Sequence, residues 1–152
     1  MSLFELIVRR SDDILADASA SIARAQLPSY EASGKEAVDQ RLRTLLDLVR
    51  LSLAENDLSH VTRHAEKVAT DRWQSGFDLS EVQTAYNVLE EAIWRRVVAE
   101  IPPADLARSL GLVATVLGSG KDVLARTYVS LAAKTRVETL DLSGLFKGTE
   151  GL

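Results

Sequence analysis

The sequence predicts an all-α protein, a helical bundle of about five main helices in one domain. Three observations carry this. Five segments repeat apolar residues every three or four positions, the period of one helix face. No run alternates apolar and polar residues for long, and β-branched residues are sparse outside the helical stripes, so no strand is expected. Prolines, glycines and capping residues fall between the segments, where helices start and stop. With 152 residues, 46% apolar and 26% charged, the chain can bury a sizeable core without crosslinks.

The first segment, about 3–26, carries Leu3, Ile7, Ile14, Ala18 and Ile22 on one face, and Pro28 follows its end. The second, about 34–55, is introduced by Ser33 and Glu36, a capping-box spacing. Its stripe is Val38, Leu42, Leu45, Val49 and Leu53, and Leu46, Leu48 and Leu51 widen it. A strip that wide predicts a helix with more than one neighbour. The third, about 57–75, turns Leu58, Val61, Ala65, Val68 and Ala69 inward, with Trp73 near its end and Gly76 as the C′ residue.

The next boundary is the clearest local signal. Asp78 stands at an N-cap, Glu81 at N3, and Phe77 and Val82 at the two positions of a hydrophobic staple. The fourth helix then runs to about 100 along Leu79, Val82, Tyr86, Leu89, Ile93 and Val97. Pro102 and Pro103 end it and open a fifth, because proline fits a first turn. This last segment, about 104–136, carries Leu106, Leu110, Val113, Leu117, Leu124, Tyr128 and Leu131, together with Gly111, Gly118 and Gly120. Each helical glycine costs about 1 kcal/mol relative to alanine. The glycines therefore imply close approach of another helix, or else a break at Gly118-Ser119-Gly120. The domain spans about 1–137. Residues 138–152 read as a tail with an apolar patch of Leu140, Leu142, Leu145 and Phe146.

Composition excludes several functions. There is no cysteine, so disulfides, thiolate chemistry and cysteine zinc sites are out. Net charge is −4, from 18 basic and 22 acidic residues, and no cationic face is concentrated enough for nucleic acid. The start, MSLFELIVRRSDD, lacks the layout of a secretory signal. No apolar run is long enough for a membrane span, which makes the cytoplasm the expected location.

No constellation for catalysis emerges. His60 and His64 lie four apart on one helix face. As functional groups they would be a metal pair or haem ligands, but a zinc site needs three or four ligands, and Asp57 and Glu66 complete no clear set. The plainer reading is two surface histidines, with no metal and no cofactor. The glycines follow no strand and make no phosphate loop. Glu90 and Glu91 point in different directions, and the Glu-x-x-His pairs of di-iron bundles are absent. Trp73, Phe77, Tyr86, Trp94 and Tyr128 are core residues on the plain reading. On the sharper one they line an apolar pocket or interface, with Gly111 and Gly118 beside them. Arg72 next to Trp73, and Arg95 and Arg96 next to Trp94, would then hold an anionic group.

The stretch DRWQSGFDLSEVQTAYNVLEEAIWRRV, residues 71–97, resembles the amino-terminal domain of RsbR-type co-antagonists. It resembles especially the RsbRD-like branch found in bacterial stress regulators and some sensor kinases. Arg72, Gly76, Leu79, Val82, Tyr86, Leu89 and Trp94 carry the resemblance, and helix order and lengths agree over about 10–136. It implies an all-helical input domain, distantly globin-like but without haem, often dimeric, placed before an output module and without catalytic residues. The sequence runs only about 16 residues past its last helix, so a stand-alone relative or an excised domain is expected.

Two functions follow. The first is a non-catalytic regulatory or sensory domain that acts by association, as a homodimer or with an output or regulator protein. Its motive is the surplus apolar surface of the second and fifth segments. The alternative is a globin-like sensor that binds a small molecule, haem or gas in a pocket among the aromatics.

Overall fold

The computed structural model describes residues 1–139, with side chains through residue 135. Among these, all regular structure is helical, in seven helices. These are α1 (Leu3–Arg9), α2 (Ser11–Ala25), α3 (Pro28–Ser33), α4 (Lys35–Glu55), α5 (Ser59–Gln74), α6 (Leu79–Glu100) and α7 (Pro103–Thr139). The predicted tail patch at Leu140, Leu142, Leu145 and Phe146 lies outside the described residues.

The count exceeds five for two local reasons. The first predicted helix is divided at Arg10, whose backbone leaves the helical region at φ −107°, ψ 15°. The ladder nevertheless carries on through it: the Arg10 N–H donates to the Leu6 carbonyl at 2.8 Å, and the Arg10 carbonyl accepts from the Ile14 N–H at 2.9 Å. Arg10 then turns its side chain onto Glu100 at the far end of α6, with Nε and Nη2 both donating to that carboxylate. A contact ninety residues away in sequence is invisible to periodicity. The second addition is α3, a six-residue helix with Pro28 in its first turn. Pro28 starts a helix here as well as following one.

That short helix overturns the capping box expected at Ser33 and Glu36. Ser33 is the last residue of α3 and its hydroxyl donates to the Ser29 carbonyl at 2.8 Å. Helical backbone removes it from the N-cap role; Gly34 opens α4 instead, with no side-chain cap. The box at Asp78 and Glu81 does form, and the Asp78 N–H donates to Glu81 Oε1 at 3.4 Å. Another box, from Ser2 to Glu5, opens α1.

The wide stripe of α4 has the predicted consequence, for α4 touches each of the other six helices. Val38, Leu42, Leu45, Leu46 and Val49 are buried there. Helix α7 lies along α5 and α6, and α2 packs on α6. Leu58 does not face inward as expected: it precedes α5 as its N-cap and is exposed.

The fifth predicted segment is one continuous helix, not two. Close approach explains only one of its glycines. A Cβ on Gly120 would stand 2.7 Å from Tyr86 Cε1 and 2.9 Å from Val61 Cγ1, so α7 meets α5 and α6 there because the residue is glycine. Gly111 and Gly118 face open space.

Candidate functional site

The site is built at the turn between α5 and α6. Gly76 adopts φ +80°, a left-handed conformation that glycine accepts without strain. The Phe77 N–H bonds the Arg72 carbonyl at 2.9 Å, and the Gly76 N–H bonds the Trp73 carbonyl at 3.1 Å. This is a Schellman ending, as Gly76 foretold. It throws the Phe77 ring back over the helix end. The contact there is made by a cation, the Arg72 guanidinium standing 5.3 Å from the ring centroid.

Three other helices converge on that ring. Arg41 of α4 brings a second guanidinium to 5.8 Å from the centroid, and its Nη1 donates to the Ser33 hydroxyl at 3.2 Å. Tyr30 of α3 meets the ring edge-on, with centroids 5.9 Å apart. From α7, the Tyr128 hydroxyl donates to the Phe77 carbonyl at 2.9 Å, while its ring stands edge-on to Trp73 at 5.5 Å. The Ser29 N–H donates to Glu81 Oε2 at 3.1 Å, which ties α3 to the start of α6.

Burial and charge shape the titrations of this corner. Tyr30 is pushed up to about 12 by burial, partly offset by the positive fields of Arg72 and Arg41. Burial lowers Arg41, and the neighbouring Arg72 charge lowers it further. Tyr86 lies behind the cluster and is raised by burial and then by Tyr30. Its hydroxyl is buried and has no hydrogen-bond partner among the described residues. Beside the corner, Tyr30 also lines a groove of about 660 Å³ between α2, α3 and α4, floored by Leu15, Ile22 and Val38.

The structure therefore brings together Arg72, Trp73, Tyr86 and Tyr128 from the sequence-predicted set. It separates the rest. Trp94 is half-exposed on the outside of α6, not in the core. Gly111 and Gly118 border no close neighbour. His60 Nε2 lies 2.6 Å from Glu55 Oε2 and 3.7 Å from Asp57 Oδ2 at the α4–α5 corner. His64 is half-buried and its pKa is lowered by burial, then by Lys67 and Arg72. Neither histidine lines the large groove. Sequence reasoning missed Tyr30 and Arg41. The signal for Tyr30 was Pro28 as a helix start; Arg41 had none, because only the crossing of α4 over the α5–α6 turn gives it a role.

No helix of the described residues is long and apolar enough to cross a membrane. No curated protein and no solved structure matches the chain. One family model does, over residues 9–139, which takes in α2 to α7 and the whole arginine–aromatic corner. The chain thus belongs to the family of the RsbT co-antagonist protein rsbRD N-terminal domain.

Proposed function

We propose that this protein is a cytoplasmic, non-catalytic sensory domain that regulates by association, with a second copy of itself and with an output or regulator protein. The family supports a regulatory role in stress signalling; the association reading rests on the surface. One observation carries it: among the described residues, large apolar side chains stand exposed on α6 and α7. Trp94 and Val98, one turn apart on α6, are 50% and 55% exposed. Val129 on α7 is 67% exposed, and no side chain from Val129 to Thr135 is buried although the helix continues to Thr139. A tryptophan held in water is an interface anchor by chemistry. A helix that outruns its own core is a lever that passes a change of packing to whatever it touches.

Light scattering coupled to size exclusion tests this. At high micromolar concentration a dimer is expected, and Trp94→Glu with Val98→Glu should return it to monomer without loss of helicity. A clean monomer of the unaltered protein at that concentration removes the reading. The globin-like alternative finds less support, because His60 is engaged with Glu55 and neither histidine faces the large groove. We take the domain to work without a resident cofactor or metal.

A further inference from the structure

We propose that the arginine–aromatic corner is a binding site for a small oxyanion, a phosphate or carboxylate group, held between the guanidiniums of Arg41 and Arg72.

Elsewhere in the protein half-buried cations are ion-paired. Arg96 is paired with Asp17 at 3.0 Å, and Lys121 with Glu90 at 2.8 Å. A cation taken partly out of water is costly unless a counter-charge replaces the solvent. Arg41 and Arg72 are half-buried as well, yet neither is ion-paired among the described residues. They share one aromatic ring, at 5.8 and 5.3 Å from its centroid, and Arg72 acts on Arg41 as a like charge. Stacking on Phe77 is favourable, but it neutralises neither guanidinium.

The nearby carboxylate does not fill this role. Glu81 accepts the Ser29 N–H on Oε2 and the Asp78 N–H on Oε1, so both of its oxygens are engaged with backbone. Asp78 Oδ2 accepts from the Ser80 hydroxyl. The Phe77 carbonyl is taken by Tyr128. Among the described residues none of these acceptors is bonded to Arg41 or Arg72. A second observation points the same way. Among the described residues the Tyr86 hydroxyl is buried without a hydrogen-bond partner, on a residue only 3% exposed, and Tyr30 of the same cluster acts on its titration. A native core rarely leaves such a donor unsatisfied. An oxyanion supplies what the corner lacks: charge for two planar forks that match a carboxylate or phosphate.

The test titrates the full chain with sodium phosphate, and separately with sodium acetate, against sodium chloride at matched ionic strength. Thermal midpoint and the arginine Nε–H signals in NMR are read. A saturable rise in midpoint with one of the two probes, absent with chloride, is expected, with shifts at Arg41 and Arg72. Saturation by phosphate alone assigns a phosphoryl group and by acetate alone a carboxylate; either supports the site. Arg41→Gln and Arg72→Gln should each weaken the response about tenfold or more, the loss of charge-assisted hydrogen bonds. Arg95→Gln, toward the opposite end of α6 and paired with Glu91, should leave it unchanged. Should a Gln variant unfold, Arg41→Lys and Arg72→Lys keep the charge and remove the fork, and weaker saturation is still expected. No saturable response above chloride, or an equal response in the Gln or Lys variants, overturns the proposal.

Discussion

Two regions of this bundle treat charge in opposite ways. Along the seam of α2 with α6, cations meet anions supplied by distant parts of the chain: Arg10 with Glu100 at 2.7 Å and Arg96 with Asp17 at 3.0 Å. At the α5–α6 turn, Arg41 and Arg72 are gathered on Phe77 with no such partner among the described residues. Both regions lie on helices with ordinary apolar stripes. The difference teaches that the seam is finished within the protein, whereas the corner, among the described residues, is left electrostatically open. An open corner on a well-packed scaffold is where a bound ligand changes stability most, since ligand binding to the folded state alone shifts the equilibrium.

The largest test of this contrast removes the close approach beneath the corner. Gly120→Val should destabilise by about 3 kcal/mol, because the new carbons collide with Tyr86 and Val61 in a packed core. Gly118→Ala, in open space, should instead stabilise by about 0.5–1 kcal/mol through helix propensity. Chemical denaturation measures both. Equal effects would mean that α7 does not press on the corner.

Alkaline unfolding comes next. Tyr30 titrates near 12 in the fold against an ordinary 10. A raised folded pKa favours the protonated form, so its contribution is complete below pH 10 and lost as pH rises toward 12. A shift of this size corresponds to about 2–3 kcal/mol. Tyr30→Phe should flatten the stability profile across that window, and an unchanged profile would show that Tyr30 is not shielded by the corner.

Tyr86→Phe should raise stability by about 1 kcal/mol, since it removes a buried hydroxyl that has no partner among the described residues. A loss instead would mean that the hydroxyl is satisfied in solution. The smallest effects compare the two regions directly. Asp17→Ala strands Arg96 and should cost up to about 1 kcal/mol, as expected of a partly exposed pair. Arg72→Met, at the corner, should be neutral or mildly stabilising in chloride buffer, because it relieves repulsion with Arg41. If both variants lose the same amount, the corner is no more open than the seam.

The sequence by itself determined the helices and several of their ends. The stripe of α4, the Asp78–Glu81 box, the glycine ending of α5 and the proline start of α7 are local devices, legible because their partners lie within a turn or two. Part of the site was legible for the same reason: Arg72 and Trp73 lie in the last turn of α5, just before Gly76. Tertiary structure alone decided the division at Arg10, the exposure of Trp94 and the meeting of Tyr30, Arg41 and Tyr128 at Phe77. Helical periodicity fixes which residues share a face, but not which helix that face will meet. Where helices cross depends on packing between segments tens of residues apart, and those contacts leave no mark on the local pattern.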